Sequence, residues 1–237
     1  MKIAFRRALY AFFALALVAG PRLIAASAPK DPLVKGVEEL VAEYPLNVKL
    51  LFENDYVWVL EFRLRPGEML PVHETGNRAV YALSGYRLLF LHSYEPSEES
   101  WQPGVVRWYH YEPHEVKNVG KTDARFLVVT RKPFPLGEAP GRDPRKDLLT
   151  LAPQGSTLLL ENPHMRIMEV ILRPGEKQPL HQGLHRVVYS LADYQIRMAG
   201  NEYKFHTGDV HFHGPGEHAV ENTSQSWARY VVFELRK

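Results

Sequence analysis

The chain contains no cysteine in its 237 residues. This absence excludes thiol nucleophiles, iron–sulfur clusters, zinc sites built on thiolates and any disulfide scaffold. A bound metal would therefore have to rest on histidine or on carboxylates.

An excess of charge of one sign is also missing. Lys and Arg number 29 against 27 for Asp and Glu, which gives a formal net charge of +2. This balance argues against nucleic acid as a partner and against an anionic membrane surface. The expected partner is a small-molecule ligand, and a homo-oligomer is left open.

The apolar run at the N-terminus is too short for a typical membrane span. Lys2, Arg6 and Arg7 precede the uncharged segment 8–20, which is shorter than the roughly 20 residues that a spanning helix needs. A small-residue stretch follows, and this order predicts a secretory signal peptide over 1–28. The mature protein would then be exported, periplasmic or secreted, without membrane contact; an uncleaved anchor is the alternative.

The chain contains an internal repeat. Residues 50–86 align without a gap with residues 158–194, at a constant spacing of 108. Farther along the spacing is 104, as between His114 and His218. The first copy therefore has four extra residues, which the polar segment 93–100 would accommodate. Two equivalent structural units are expected.

Each copy has the residue pattern of β-strands. Residues 57–64 alternate between two faces, and segments 79–91 and 125–130 are β-branched, aromatic or apolar. Neither copy shows a long helical period. The sequence therefore predicts an all-β fold with two domains, at 46–133 and 153–237.

The remaining segments are predicted to extend or connect these domains. Residues 134–152 are rich in proline, glycine and charge and suit a linker. Residues 29–45 form an N-terminal extension. A short packing helix is predicted there from the helical spacing of Val34, Val37, Leu40 and Val41.

Three motifs of the first copy resemble a known family. Gly67 is followed after five residues by His73, a Tyr-x-Leu-x-Gly strand lies at 81–85, and His114 precedes Asn118 by four residues. Together they are similar to the two motifs of the cupin family. The second copy has the matching residues Gly175, His181, Tyr189, Leu191, Gly208, His218 and Asn222. The chain thus resembles a bicupin, which implies two tandem jelly-roll β-barrels.

The same resemblance implies a metal site, for which the first copy lacks most ligands. The family uses His-x-His and then Glu in the first motif and one His in the second, which together hold a divalent ion. Only His73 and His114 remain here, since Pro71 and Thr75 flank the first histidine and Arg78 takes the glutamate position. These two histidines are weak candidates for metal ligands.

The second copy has more histidines. His181, His185 and His218 are candidate ligands of one divalent ion, Fe, Mn, Ni or Zn. However, the first two are four residues apart rather than two, and Arg186 takes the glutamate position. A guanidinium cannot ligate and opposes a bound cation. The alternative is that His181 bonds a loop at the barrel mouth and His185 lies on the surface.

The arginines favour a different ligand. Arg78 and Arg186 occupy one equivalent position, on the strand that supplies an inward ligand in the family, and a guanidinium there would hold a carboxylate by two parallel bonds. This points to an organic or sugar acid, with Tyr81 and Tyr189 as further candidates for the pocket wall. The alternatives are that the arginines face outward or pair with glutamate and that the tyrosines are core residues.

Another histidine pair lies in the second copy. On a strand, His211 and His213 share one face, and Val210 and Phe212 share the other. Because the apolar pair is expected to face the core, His211 and His213 are predicted to point outward. His218 is then the predicted ligand of this segment. Its neighbour Asn222, like Asn118, is predicted to brace a turn.

Three functions remain open on the sequence alone. The first is an exported bicupin that binds a small organic or sugar acid, with a divalent metal in the second barrel left open. The second is a metal-dependent cupin enzyme, a dioxygenase, decarboxylase or isomerase, using His181, His185 and His218. The third is a structural or assembly role. No catalytic residue is assigned, because a fold does not define a reaction.

Overall fold

The computed structural model describes residues 35–91, 95–137 and 141–236. The predicted signal peptide, 1–28, lies outside these residues, as does Val34 of the predicted helix. In the described ranges, no helix combines the length and the apolar character needed to cross a membrane.

The first repeat forms nine strands, which we call the first barrel. They are β1 Val48–Glu53, β2 Val57–Leu64, β3 Met69–His73, β4 Arg78–Ala82, β5 Tyr86–Leu91, β6 Ser97–Trp101, β7 Val106–Tyr109, β8 His114–Asn118 and β9 Ala124–Arg131.

The second repeat forms nine further strands, the second barrel. They are β10 Ser156–Glu161, β11 Met165–Leu172, β12 Lys177–Gly183, β13 Arg186–Ser190, β14 Tyr194–Met198, β15 Asn201–Phe205, β16 Val210–His213, β17 Gly216–Asn222 and β18 Ala228–Leu235.

The two barrels have the same sheet topology. In the first, a five-stranded sheet of order β1-β2-β9-β4-β7 faces a four-stranded sheet of order β3-β8-β5-β6. The second repeats this as β10-β11-β18-β13-β16 and β12-β17-β14-β15. Neighbouring strands are antiparallel throughout these sheets. The all-β prediction of two tandem jelly-roll barrels is confirmed.

Strand β2 contributes alternate side chains to two different buried clusters. Leu60, Phe62 and Leu64 point into the first barrel, where they pack against residues of the four-stranded sheet. Val57 and Val59 point the other way, yet they are also fully buried. The outer face of this sheet is therefore covered by another part of the protein.

That cover is the five-stranded sheet of the second barrel. Tyr81 contacts Phe233 edge to face, with ring centroids 6.4 Å apart, and Phe52 stacks on Phe212 at 6.2 Å. We call the buried residues between the sheets the inter-barrel layer: Val57, Val59, Ala79, Tyr81, Leu127, Val129, Met165, Ile167, Val187, Tyr189, Val231, Phe233 and Leu235.

Short helices flank the barrels. Helix α1, Val37–Glu43, lies within the predicted N-terminal extension and buries Val37 and Leu40 against the first core. Its start is capped by the Glu39 carboxylate, which accepts a hydrogen bond from the Gly36 amide at 2.7 Å. The segment predicted as a linker contains a 3₁₀ turn at 144–146 and a second helix, α2, Leu148–Leu151. The predicted domain limits, 46–133 and 153–237, stay predictions; β1–β9 and β10–β18 fall within them.

One buried asparagine braces a turn in each barrel. The Asn118 amide donates to the carbonyls of Leu64 and Thr122, at 2.8 Å each. In the second barrel, the Asn222 amide donates to the carbonyls of Leu172 and Ser226, at 3.0 and 2.8 Å. The predicted turn-bracing role is confirmed.

Candidate functional site

The second barrel encloses a cavity of about 60 Å³ between its two sheets. Its apolar wall includes Val188, Ile196 and Val220. Its polar lining, which we call the second-barrel site, consists of Gln178, His181, Arg186, His211, His213 and His218. Pockets for small molecules commonly combine an apolar wall with a few convergent polar groups.

The prediction that His211 and His213 point outward is wrong. Both line this cavity, whereas Val210 and Phe212 on the opposite face of β16 pack against the inter-barrel layer. The prediction assumed that a strand has only one buried face. Here the outer face is buried as well, so the apolar side chains occupy it and the histidines face the barrel interior.

His185 does not join the other histidines. Its ring lies against Tyr56 and Phe212, at centroid distances of 5.3 and 6.0 Å, and it does not line the cavity. Both ring nitrogens are buried without a hydrogen-bond partner among the described residues. Burial lowers the pKa of this histidine. The predicted set of His181, His185 and His218 is therefore not brought together.

His181 and His218 do meet. They are register partners on β12 and β17, and their ring centroids lie 4.2 Å apart. The Nδ1 of His181 donates to the Pro179 carbonyl at 2.8 Å, which leaves the proton off its Nε2 in the neutral ring.

Arg186 is buried beside these rings, with 7% of its surface exposed. Its Nη1 donates to the carbonyls of Leu184 and Gly214, at 3.0 and 3.1 Å. Its Nη2 lies 3.0 Å from Nε2 of His218, to which it donates. None of the described carboxylates lies within ion-pairing distance of this guanidinium. The site therefore contains a permanent cation without a counter-ion from those residues.

The histidines around Arg186 are neutral. Burial, with a further contribution from the Arg186 charge, lowers the pKa of His218 to about 3 and that of His213 to about 4. The pKa of His181 is lowered by burial as well. At neutral pH, Arg186 thus supplies the positive charge of the cavity.

These residues do not fit a metal ion. The lone pair on Nε2 of His218, which would ligate, accepts a hydrogen bond from Arg186 instead. A permanent cation beside it would repel a divalent ion. In the parts of the chain that the structure describes, no group of three or more potential ligands is arranged to hold a metal.

Gly183 leaves room for the guanidinium of Arg186. A Cβ atom at residue 183 would lie 2.3 Å from Nη1 and 2.6 Å from Cζ of Arg186, which is far inside contact distance. The equivalent residue of the first barrel, at the repeat spacing of 108, is Thr75. A glycine at position 183 is therefore a feature of the second-barrel site.

The first barrel retains the arginine–histidine pair but little space. Arg78 Nη2 lies 3.3 Å from the ring nitrogens of His114, whose centroid is 4.4 Å from that of His73. The cavity beside them is about 20 Å³, because Phe90 and Tyr109 fill the interior. Burial lowers the pKa of His73 to about 4 and that of Arg78 to about 10.

Tyr81 and Tyr189 lie away from the arginines. Both side chains belong to the inter-barrel layer and line a third cavity, of about 190 Å³, where the barrels meet. Their interpretation as walls of the same pocket as Arg78 and Arg186 is therefore not supported by their position.

Sequence reasoning missed three residues of the second-barrel site: Gln178, His211 and His213. For the histidines a signal was present, because Val106 and Trp108 of the first copy are apolar at the positions of Val210 and Phe212. An outer face that stays apolar in both copies indicates that the barrels pack together. No such signal marked Gln178, whose counterpart is Leu70.

No protein-family model and no curated protein matches this sequence. Solved structures do match. The crystal structure of AerE from Microcystis aeruginosa has 14% identity and a TM-score of 0.61, covering 81% of this chain and 93% of its own. A cupin 2 conserved barrel domain protein from Leptotrichia buccalis has 13% identity and a TM-score of 0.50, covering 80% and 88%.

Oxalate decarboxylase from Bacillus subtilis matches both barrels as well. A tryptophan-to-phenylalanine variant of it has 14% identity and a TM-score of 0.58, covering 83% of this chain and 71% of its own. Another structure of that enzyme, described for its Mn(II) centres, has a TM-score of 0.57 at 13% identity. At such low identity the likeness establishes the fold: this chain has the bicupin fold, two cupin barrels in tandem.

Proposed function

We propose that the second barrel binds a short organic acid as its anion and that Arg186 is the anchor. The observation that carries this proposal is the guanidinium of Arg186, buried on a cavity wall without a carboxylate partner among the described residues. Burying an unpaired charge is costly, and a carboxylate ligand would offset that cost.

The hydrogen bonds of Arg186 support this assignment. A guanidinium has five N–H groups. Three of them donate to Leu184, Gly214 and His218. The other two, one on Nε and one on Nη2, have no partner among the described residues. Arginine commonly holds a carboxylate by two parallel bonds, for which two free N–H groups suffice.

Two further buried polar atoms of residues that line this cavity have no hydrogen-bond partner among the described residues. The Gln178 amide accepts a hydrogen bond from Tyr230 at 3.3 Å, whereas its Nε2 is buried without one among the described residues. The Nε2 of His211 is in the same situation. Buried polar groups are normally satisfied, so these atoms indicate a ligand or water in the cavity. A ligand oxygen could accept from Gln178 while its carboxylate is held by Arg186.

The size of the cavity limits the acid. Its volume of about 60 Å³ is well below the roughly 150 Å³ of a cavity that accommodates benzene. This favours an acid of one to three carbons over a sugar acid. Oxalate, which the fold neighbour from Bacillus subtilis decarboxylates according to its name, is in this range.

Calorimetric titration of the tag-free protein with formate, acetate, glycolate and oxalate tests the proposal. We expect at least one of them to bind, and Arg186→Met to weaken that binding by about 30-fold, since a charge-assisted hydrogen bond contributes roughly 2 kcal/mol. The matched control is Arg78→Met in the first barrel, which should leave affinity unchanged. Absence of binding by all four acids, or equal affinity in Arg186→Met with a native melting curve, would contradict the proposal.

The metal-dependent enzyme is the less favoured function. It requires His181, His185 and His218 on one ion, whereas His185 lies away from the cavity and Arg186 bonds to His218. Metal analysis after dialysis against Mn²⁺ should find well below one equivalent. A stoichiometric ion that is lost in His218→Ala would instead favour the enzyme.

Export is part of the same proposal. It is supported by the basic, apolar and small-residue order of residues 1–28. Expression of the full chain in a bacterium with two membranes should yield a periplasmic protein whose mass corresponds to a start near Pro29. Recovery of the uncleaved chain from the cytosol or the membrane fraction would contradict it.

A further inference from the structure

The largest of the three cavities described above lies between the barrels. This inter-barrel cleft has a volume of about 190 Å³. Both barrels contribute the same residue types to it, at the repeat spacings: Tyr81, Leu83 and Arg125 from the first, and Tyr189, Leu191 and Arg229 from the second. The cleft therefore has approximate two-fold symmetry, and it is distinct from the second-barrel site.

Its two tyrosines are buried and point their hydroxyls at the cleft. Each residue is only 2% exposed. The hydroxyl oxygens lie 3.9 Å from where a Cβ would stand on Gly104 and Gly208, and both glycines occupy turns with positive φ. Neither hydroxyl has a hydrogen-bond partner within the described ranges. Both tyrosines line the open volume of the cleft, so their hydroxyls are free to donate to a ligand or to water there.

The charges of the cleft are already balanced. Arg125 donates to Glu61, from Nε at 3.0 Å and from Nη2 at 2.6 Å. Arg229 donates to Glu169 from Nε. Each guanidinium is thus neutralised within its own barrel, in contrast to Arg186.

The tyrosines themselves stay uncharged. Burial raises the pKa of Tyr81 and of Tyr189 to about 12, so both hydroxyls retain their protons at neutral pH. The cleft therefore presents phenol donors, ion-paired side chains and the apolar walls of Leu83 and Leu191, without net charge.

We infer that the inter-barrel cleft binds a neutral polyhydroxy compound about the size of a monosaccharide, through the hydroxyls of Tyr81 and Tyr189. Hydroxyl groups match these donors and the ion-paired side chains. The volume exceeds that of a cavity of about 150 Å³, which accommodates benzene, so a six-membered ring fits. An anion would meet guanidiniums that already hold glutamates.

Saturation-transfer NMR and calorimetry on the full chain test this inference, with myo-inositol, D-glucose and glycerol as neutral probes and gluconate as the charged one. We expect weak binding of a neutral ring polyol, about 5-fold weaker in Tyr81→Phe and in Tyr189→Phe, because each change removes one hydrogen bond and keeps the ring. The double variant should lose more.

Two controls separate the outcomes. Tyr109→Phe, inside the first barrel, should leave polyol affinity unchanged. Arg186→Met should do so as well, so that failure of the acid site and failure of the cleft are distinguishable. The inference is overturned if no neutral probe binds up to its solubility limit, if gluconate binds more tightly than glucose, or if the two phenylalanine variants bind like the wild type.

Discussion

The two barrels share a frame and differ in what fills it. At equivalent positions, large side chains of the first barrel are replaced by smaller ones in the second. The pairs are Phe62 and Val170, Phe90 and Met198, Trp101 and Phe205, and Tyr109 and His213. Correspondingly, the cavity grows from about 20 to about 60 Å³. A binding cavity therefore arises here from side-chain volume, on a strand arrangement that does not change.

The polarity of the two interiors differs in the same direction. Leu70 of the first barrel corresponds to Gln178 of the second, and Thr130 corresponds to Glu234. Glu234 is buried with a raised pKa, next to Arg166, whose Nη1 lies 3.4 Å from its carboxylate. The arginine–histidine pair is common to both barrels, so the pair alone does not define the site. Space and extra polar groups around it do.

The largest expected effect is on stability, and it tests whether equivalent turns of the two barrels have the same role. Replacing Asn118 or Asn222 by alanine removes the two hydrogen bonds that the side-chain amide donates to carbonyls and those that its oxygen accepts, from Gly120 or from Ser224. Each change should lower the free energy of unfolding by about 3 kcal/mol. Urea denaturation of the two variants measures this. A large difference between them would mean that the two turns do not have equivalent roles.

The next prediction concerns a substitution that gives the second barrel a residue of the first. Gly183→Thr places a side chain where Arg186 now lies, so the guanidinium must move. We expect a stability loss of about 2 kcal/mol from the overpacking, together with loss of acid binding. The reciprocal change, Thr75→Gly, should not create acid binding, because Phe90 and Tyr109 still fill the interior. Unchanged acid affinity in Gly183→Thr would show that Arg186 is not held in place by this glycine.

A smaller effect on stability is expected at the residues just before β4 and β13, which are equivalent in the two barrels. Asn77 accepts a hydrogen bond from the Tyr111 amide at 2.8 Å. Its counterpart His185 is half-buried against aromatic rings, and both of its ring nitrogens are buried without a partner among the described residues. His185→Phe should therefore raise the free energy of unfolding by about 1 kcal/mol, and Asn77→Ala should lower it by about the same amount. Thermal melts at pH 7 compare the two, and a destabilised His185→Phe would contradict the expectation.

The smallest effect is a flat pH dependence. Since the pKa values of His213 and His218 are about 4 and 3, their rings stay neutral between pH 6 and 8 while Arg186 stays charged. Acid affinity should therefore change by less than about 2-fold over that range. Below pH 6.5 these two histidines become protonated in the unfolded chain but stay neutral in the folded protein. The free energy of unfolding should therefore fall as the pH approaches 4. A steep rise in affinity between pH 8 and 6 would show that a histidine carries the binding charge.

The fold was predictable from the sequence because the repeat and the strand alternation are local signals. Arg186, His181 and His218 were found as candidates in the same way, each having a counterpart in the first copy. The orientation of His211 and His213 was not predictable from their own strand, because it depends on what covers the outer face; the signal for that cover lay in the comparison of the two copies. That cover is a second sheet, more than a hundred residues away along the chain.

Gln178 and Gly183 show a different limit. Neither resembles its counterpart in the first copy, so the repeat gave no reason to select them. Their importance follows from distances to Arg186 and from a missing hydrogen bond, which only three-dimensional coordinates supply.

The inter-barrel layer also has a consequence for how such a protein could have arisen. A single repeat would expose an apolar sheet face that includes Val57, Val59 and Tyr81, and burying that face against an identical copy would be its stable state. A one-repeat ancestor is then an obligate homodimer, in which every substitution appears twice. Joining two repeats in one chain would remove that constraint, because one half can be filled by side chains and support the assembly while the other contains a cavity.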